Sequence, residues 1–268
     1  MDTEKEITST QPLVSILMLT YNRSTFIREA ISSIQKQTYT NWKLIIIDDG
    51  STDNTHNVIS SLNEGRINYI QHENNGGMIT RRKESLGYTE GIYTAVLDSD
   101  DVWTSPNKLA EQVSYMENNS NCSAVGTFIN LIDKNSVKFG ENKYKTDDTN
   151  IRKRFFFRNQ FTHSSILMRN SHLSRTKGYR DTTLAEDYDL FLQLGQYGTL
   201  ANIPKFYTAY RIHSDSFNHK RLLMAQSVLR IVQSHKGRYP NYHIALIKCY
   251  TRIALTWLTQ EIQNFFKK

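Results

Sequence analysis

In the first half of the chain, apolar runs of strand length alternate with segments whose apolar residues recur every three or four positions. The runs that predict strands cover 13–19, 43–48, 67–71 and 92–98. The segment after the first run carries apolar residues on one helical face, namely Ile27, Ala30, Ile31 and Ile34. This alternation is typical of βαβ units, in which helices cover a parallel sheet. It predicts an α/β fold with a Rossmann-like, mostly parallel central sheet flanked by helices.

The pattern becomes less regular beyond Pro106. The elements predicted there are a helix over 107–118, a strand over 123–132 leading into a hairpin, a helix from Ala185, and strands over 199–204 and 206–213. The end of the chain is helical, with two amphipathic segments separated by the sequence GRYP. We therefore predict a helical C-terminal extension behind the sheet.

Charge is distributed unevenly along the chain. Residues 1–130 hold 10 Lys and Arg against 16 Asp and Glu, a net of −6, whereas residues 131–268 hold 23 against 10, a net of +13. The acidic part suits a metal cation, and the basic part suits anionic lipid, phosphate or an acidic partner, with a solvated basic surface as the plain alternative. Basic segments such as 152–158 come without a zinc finger, an RNP sequence or a GxxG clamp, so no nucleic-acid partner is predicted.

Cysteine usage and the N-terminal residues bear on location. Cys122 and Cys249 form no CxxC pair and no zinc-binding spacing, so neither a disulfide framework nor structural zinc is expected. The first twelve residues are polar, and no stretch reaches the roughly 18 apolar residues of a membrane span. We predict a cytoplasmic protein, and a peripheral position at the inner face of the membrane is compatible with this.

The sequence VLDSDDVW ends a predicted strand and places Asp98, Asp100 and Asp101 within four positions. Like charges this close repel one another, so a cation or hydrogen-bond donors must offset them. In open α/β sheets ligands bind beyond the carboxyl ends of the strands, where these aspartates lie. Oxygen ligands on a tight turn suit Mg²⁺ or Mn²⁺ shared with substrate phosphates, while an acidic turn that caps the next helix is the alternative.

Four ordered motifs resemble those of the bacterial inverting glycosyltransferases of family 2. They are VSILMLTYNRSTFIREAISSIQKQTYTNWKLIIIDDGSTDNT, NNGGMITRRKESLGYTEGIYTAVLDSDD, AEDYDLFLQL and YRIH, spread over roughly 12–214. The resemblance implies the GT-A fold, a UDP-sugar donor, Mn²⁺ or Mg²⁺, and a hydroxyl acceptor on a glycan, a glycoprotein or a lipid-linked sugar. The implied division is a catalytic domain over 1–215, with a nucleotide-binding half at about 12–130 and an acceptor half at about 131–215, and an extension over 216–268.

The resemblance assigns the nucleotide base to the end of the first strand. Leu19, Thr20 and Tyr21 border the base, and the Tyr21 ring stacks on it, as aromatic side chains do with bases elsewhere. Asp49, in IDDGS, matches an aspartate that accepts a hydrogen bond from the ring N–H of uracil. This match favours uridine as the nucleoside.

Further matches concern the ribose and the diphosphate. Arg82 stands where the family usually has the arginine of an ARN tripeptide, near base or diphosphate, although Lys83 replaces the asparagine. Asp98 matches the carboxylate on the ribose side of the donor site, and its neighbour Ser99 is assigned to donor binding as well. Asp100 matches the metal ligand.

Two histidines and a pair of adjacent carboxylates complete the implied site. His213, in YRIH, matches a histidine that completes the metal shell in several relatives. Asp187 matches the general base that takes the proton from the acceptor hydroxyl, with Glu186 as the second candidate, although acidic residues also favour any helix N-terminus. His163 stands on the acceptor side, where a buried structural histidine is the alternative.

Alternatives remain for the function and for the tail. A sugar nucleotidyltransferase ordinarily has a glycine-rich loop after the first strand, and LTYNRSTF contains no glycine. A non-catalytic sugar-nucleotide-binding or scaffold protein is expected to lack the base. The last helix has a broad apolar surface bordered by basic side chains, which suits packing on the catalytic domain, pairing in a homo-oligomer, or contact with a membrane.

Overall fold

The computed structural model describes residues 11–182, 184–212 and 221–265, with side chains as far as 259. Its strands are β1 (Val14–Thr20), β2 (Trp42–Asp48), β3 (Ile67–Gln71), β4 (Tyr93–Val96), β5 (Val102–Trp103), β6 (Cys122–Ile132), β7 (Lys138–Asn142), β8 (Leu167–Arg169) and β9 (Thr199–Arg211). Its α-helices are α1 (Ile27–Gln35), α2 (Thr55–Ser60), α3 (Met78–Ser85), α4 (Lys108–Asn118), α5 (Asp148–Phe155), α6 (Asn170–Leu173), α7 (Glu186–Leu194), α8 (Arg221–Ser234) and α9 (Tyr242–Phe265).

The strands form one sheet in the order β3-β2-β1-β4-β8-β6-β9-β5, with β7 paired to β6. The run β3-β2-β1-β4 is parallel, whereas β8 is antiparallel to both of its neighbours and β9 is parallel to β6. The predicted α/β class with a helix-flanked central sheet is confirmed. The strands β1 to β4 are parallel to one another, whereas the rest of the sheet contains both parallel and antiparallel pairs.

Both faces of the parallel strands are buried. Ile16 and Met18 on β1 pack into one apolar cluster, while Leu17, between them, packs into the cluster on the other face. Alternate residues of a strand point to opposite faces, so an uninterrupted apolar sequence is what a sheet covered on both sides requires. The register pairs Thr20 with Asp48, so β1 and β2 end at the same edge.

The two strands predicted over 199–204 and 206–213 are continuous in the structure as β9, which ends at Arg211, and residue 213 lies outside the described residues. Its register against β6 shifts between Thr127, which pairs with Ile203, and Phe128, which pairs with Phe206. Pro204 lies inside this irregularity. Because proline has no N–H to donate to a neighbouring strand, the strand bulges around it instead of ending there.

The C-terminal helices pack on the core through one side. Ala225 on α8 and both Ala245 and Cys249 on α9 are buried, and the phenol of Tyr239 donates to the backbone carbonyl of Leu192 at 2.7 Å. The C-terminal helices therefore pack on the core, which is one of the three arrangements that the sequence left open. Most other described side chains of α9 are exposed, among them the apolar residues Ile247, Leu255, Trp257 and Leu258. No helix in the described part of the chain is both long enough and apolar enough to span a bilayer.

Candidate active site

A cavity of about 380 Å³ opens at the carboxyl ends of β1, β2 and β4. Its lining includes all the residues assigned above to donor binding, and Asp100 as well: Leu19, Thr20, Tyr21, Asp49, Arg82, Asp98, Ser99 and Asp100. Parallel strands in register bring their following loops to one edge, which explains why residues so far apart in the chain meet. We call this space the donor cavity.

The carboxylate of Asp49 organises one wall of the donor cavity. Oδ1 accepts from the backbone N–H of Gly76 at 2.7 Å and from Nε of Arg81 at 2.7 Å, and Oδ2 accepts from the N–H of Gly77 at 2.9 Å. Gly50 has φ +78°, and a Cβ there would lie 2.8 Å from the backbone carbon of Asn74, so only glycine fits beside this loop. Three of about four lone-pair sites of Asp49 are used, which leaves one for a ligand.

Unsatisfied polar atoms mark the same cavity. The Thr20 hydroxyl is buried without a hydrogen-bond partner among the described residues, and so are Nε and Nη1 of Arg82. Buried polar groups are normally satisfied, so these atoms suit a polar ligand. The ring of Tyr21 is 42% exposed at the edge of the cavity, although large aromatic side chains are usually buried to a greater extent.

Arg82 and Asp98 form an ion pair on the floor of the site, with Nη2 of the arginine 2.6 Å from Oδ1 of the aspartate. Nε of Arg82 lies 3.7 Å from Oε1 of Glu186. Burial opposes ionisation of Asp98, but the nearby charges of Arg82 and His163 outweigh it and hold the pKa of this carboxyl well below its usual value. Asp98 is therefore a carboxylate at neutral pH, and its charge is matched by the protein.

A second cavity of about 480 Å³ adjoins the first and shares Met78, Arg82, Asp98 and Tyr210 with it. Glu186 and Asp187, the two candidate bases, line this second cavity. We call it the acceptor cavity, since it borders the candidate bases.

Asp187 lies at the start of α7, where the chain enters the helix through Ala185 at φ +64°. Its carboxylate is half-buried, and Oδ2 accepts a long hydrogen bond of 3.4 Å from the amide of Asn159. Burial and the adjacent charge of Glu186 raise the pKa of Asp187 to about 6. A carboxyl with this pKa is well suited to accept a proton near neutral pH.

Asp189, two residues further along α7, has a different environment. It is completely buried, Arg180 Nε donates to it at 2.6 Å, and His235 Nε2 lies 2.9 Å from Oδ1. His235 directly follows α8, so this contact joins α7 to the end of that helix. Asp189 is therefore a buried structural residue and does not line the acceptor cavity.

Comparison with known proteins identifies the family. The model of "Glycosyl transferase family 2" matches residues 15–176. The chain belongs to this family. The prediction of a glycosyltransferase is confirmed, and the nucleotidyltransferase and non-catalytic alternatives lose their support.

Two relatives illustrate the range of the match. An uncharacterized glycosyltransferase of Haemophilus influenzae is 32% identical over 242 residues, covering 82% of this chain and 72% of the relative. The Escherichia coli protein WfaP, a UDP-Glc:α-D-GlcNAc-diphosphoundecaprenol β-1,3-glucosyltransferase, is 30% identical over 224 residues, covering 82% of this chain and 86% of the relative.

A solved structure shares the fold. The mannosyltransferase PcManGT of Pyrobaculum calidifontis, in complex with GDP-Man and Mn²⁺, superimposes with a TM-score of 0.68 at 15% identity, covering 93% of this chain and 76% of that one. At this identity the likeness establishes the fold alone. The prediction of a GT-A glycosyltransferase fold is confirmed.

In this glycosyltransferase the crowded aspartates have partners from the protein. Oδ2 of Asp100 lies 3.3 Å from Nε of Arg23. Asp101 accepts from the hydroxyl of Ser164 at 2.5 Å and from the backbone N–H of Arg211 at 2.8 Å. Burial, together with the charges of the two neighbouring aspartates, raises the pKa of Asp101 well above its usual value. The repulsion is thus offset in part by hydrogen-bond donors and cations.

The donor set fits a divalent cation that is shared with a substrate. Among residues 11–182, 184–212 and 221–259, no three His, Cys, Asp or Glu side chains form a complete metal site. Mg²⁺ usually binds one or two carboxylates, waters and substrate phosphates, so a single partly exposed carboxylate such as Asp100 is an adequate protein contribution. His213, the second predicted ligand, lies outside the described residues.

His163 combines the two roles considered for it. It is 6% exposed, and Nε2 lies 2.8 Å from the Tyr179 hydroxyl, as in a structural histidine. It also lines the acceptor cavity, with Nδ1 3.5 Å from Oδ1 of Asp98 and without a hydrogen bond to another described residue. His163 therefore connects the buried core to the floor of the site.

Sequence reasoning missed three residues of the site. Arg23 pairs with Asp100, Arg81 binds Asp49, and Tyr210 borders both cavities. All three stand inside the motifs quoted above, next to or within three positions of a residue that was singled out. Their proximity in sequence was a usable signal, but only the folded chain shows which carboxylate each arginine meets.

Proposed function

We propose that this glycosyltransferase moves a sugar from a UDP-sugar to an acceptor hydroxyl by a metal-assisted single displacement that inverts the anomeric carbon. Asp187 carries the proposal, because it is a half-buried carboxylate beside the donor cavity with a pKa raised to about 6. Inversion needs one base to take the proton of the acceptor hydroxyl while its oxygen attacks from the face opposite the diphosphate. No covalent nucleophile is required.

Asp187 is the preferred base, with Glu186 second. Glu186 is 7% exposed and lies 3.7 Å from Arg82, so its charge already has a partner. Within the described residues, Asp187 accepts the weak amide contact from Asn159 and belongs to no ion pair. A base that is already ion-paired loses part of that interaction when it accepts a proton, which favours Asp187.

The donor cavity supports a uridine nucleotide. Thr20 offers an unsatisfied hydroxyl, Tyr21 an exposed ring, and Asp49 a single remaining lone pair. One lone pair suits the single ring N–H of uracil better than the adjacent N–H groups of guanine. WfaP is named for a UDP-sugar, and PcManGT was solved with a GDP-sugar, so the shared fold admits both nucleotides.

We assign Mn²⁺ or Mg²⁺ to Asp100, with His213 as the second predicted ligand. When bound, the cation supplies electrostatic stabilisation to the departing diphosphate. Arg82 lines the donor cavity, and its Nε and Nη1 have no hydrogen-bond partner among the described residues, so it would position the donor through hydrogen bonds and positive charge. Asp98 keeps the guanidinium of Arg82 in place.

The acceptor is a hydroxyl of a glycan, a glycoprotein or a lipid-linked sugar. The name of WfaP, whose acceptor is a lipid diphosphate sugar, supports the third class. The exposed apolar residues of α9 are compatible with two further proposals. These are pairing with another subunit and peripheral contact with the inner face of a membrane.

The test is Asp187→Asn, with UDP binding and turnover measured on the same preparation. We expect UDP affinity in the presence of Mn²⁺ to stay within about twofold while kcat falls by on the order of 100-fold or more, the usual scale for loss of a general base. Inverted product from wild-type protein, seen by NMR of the new anomeric carbon, would support the single displacement. Collapse of UDP affinity would show that Asp187 is structural, and near-normal turnover would exclude it as the base.

A further inference from the structure

The acceptor cavity is divided into three chemical zones. Its floor is acidic and carries Glu186 and Asp187. One wall is apolar, and the solvent side carries arginines, so the zones differ in both charge and polarity. A free sugar would use the floor alone, since its hydroxyl groups gain little from an apolar wall or from isolated positive charges.

The apolar wall comes from segments far apart in sequence. Met224 and Val228 are four residues apart on α8 and therefore lie on one helical face, and both line the cavity. Phe156 and Phe157, at the end of α5, complete the wall. Apolar side chains that face an open cavity favour a hydrocarbon ligand, because burial of both surfaces removes them from water.

The basic edge consists of Arg158 and Arg252, which both line the cavity and are both exposed. Arg158 donates to the side-chain oxygen of Asn142 at 3.0 Å, and Lys248 beside them donates to the carbonyl of Phe157 at 3.3 Å. Within the described side chains, none of these three cations belongs to an ion pair. Their charge is available to an anion at the cavity edge.

We propose that Arg158 and Arg252 form a subsite for the diphosphate of an acceptor in which a sugar is joined through diphosphate to a hydrocarbon chain. The sugar hydroxyl reaches Asp187, the two arginines bind the diphosphate, and the first part of the chain lies against Met224 and Val228. The three zones correspond in chemistry to the three groups of such a molecule: the sugar, the diphosphate and the hydrocarbon chain. The inference rests on the proposed function only in placing the acceptor hydroxyl at Asp187.

The experiment measures binding of undecyl diphosphate to the full chain by calorimetry, with UDP and Mn²⁺ saturating the donor cavity. Undecyl maltoside and methyl diphosphate serve as probes that lack the diphosphate and the chain respectively. The test variant is Arg158→Gln with Arg252→Gln. The matched control is Arg154→Gln with Arg238→Gln, which removes the same charge from exposed residues that do not line the cavity.

We expect wild-type protein to bind undecyl diphosphate about tenfold or more tightly than either partial probe. The test variant should lose at least about tenfold in affinity for it, the control variant less than about twofold, and replacement of both arginines by lysine should restore part of the loss. UDP affinity should be the same in all variants, since neither arginine lines the donor cavity.

Equal losses in the test and control variants would overturn the subsite and indicate a general surface charge effect. Unchanged affinity for undecyl diphosphate, together with weaker binding of the test variant to phosphatidylglycerol vesicles, would assign the arginines to a bilayer surface instead. Absence of Mn²⁺-dependent UDP binding in wild-type protein would contradict the proposed donor. The comparison of the two double variants would still decide the subsite.

Discussion

The donor cavity and the acceptor cavity share Arg82 and Asp98, yet they are built in different ways. The donor cavity is formed largely by loops that follow parallel strands, and its central carboxylate, Asp49, already binds two backbone N–H groups and Arg81. The acceptor cavity is assembled from α7, α8, α9 and the end of α5, with an apolar wall. The first cavity therefore has a polar wall already organised by hydrogen bonds, whereas the second combines acidic and apolar surfaces.

The largest effect is expected from Asp100→Ala in the donor cavity. Removal of this carboxylate should lower metal-dependent turnover by on the order of 100-fold or more, because the cation would lose its contact with the protein. Turnover at several Mn²⁺ concentrations and after EDTA treatment provides the measurement. Near-normal turnover that resists EDTA would exclude the assignment of a catalytic metal to Asp100.

Asp189→Asn tests the scaffold of the acceptor cavity. Breaking this buried ion pair should lower the free energy of unfolding by about 3 kcal/mol, toward the lower end of the usual range because Arg180 is 30% exposed. Urea denaturation checks this. The matched change Asp187→Asn, on the same helix, should cost far less stability, since Asp187 has no cationic partner within the described ion pairs. Equal costs would contradict the separation of their roles.

Tyr21→Ala should affect the donor cavity alone. Loss of ring stacking on a base costs roughly 1–3 kcal/mol, so UDP should bind about tenfold more weakly. Calorimetry with UDP is the measurement, and affinity for the acceptor should be unchanged, since Tyr21 does not line the acceptor cavity. A change of less than twofold in UDP affinity would exclude stacking.

The last prediction is a pH dependence of kcat/KM that arises from Asp187 in the acceptor cavity. Because the pKa of Asp187 is raised to about 6, the base is mostly ionised at pH 8 and mostly protonated at pH 5. The value of kcat/KM should therefore rise with pH, reach half its maximum at about pH 6 and level off above about pH 7, with about a tenfold difference between pH 5 and pH 8. UDP affinity over the same range is the control. A flat profile would argue against a carboxylate base with this pKa.

Most of the donor cavity was predictable from sequence, because its residues follow strands whose apolar runs are unmistakable. Parallel pairing in register then brings Thr20, Asp49 and Asp98 to one edge whatever the loops do in detail. The roles of these residues stay predictions. The division into domains also stays a prediction, and the structure adds that both C-terminal helices bury side chains in the core.

In the acceptor cavity, only the residues of the floor were predictable from the sequence. The AED sequence pointed to Glu186 and Asp187, but the apolar wall joins Phe157 to Met224 and Val228, which stand about 70 residues later. An apolar residue on an amphipathic helix is equally consistent with a core position or with a cavity wall.

Local pattern therefore determined the α/β class, the strand ends and the residue types at the donor edge, since side-chain periodicity and strand register depend on near neighbours. Tertiary packing decided the partners of the charged groups. It paired Arg23 with Asp100 and Arg81 with Asp49, buried Asp189 with Arg180, and left Arg158 and Arg252 facing the cavity without a carboxylate among the described ion pairs. The physical reason is that the energy of a charge depends on burial and on groups brought close by folding, which sequence spacing does not specify.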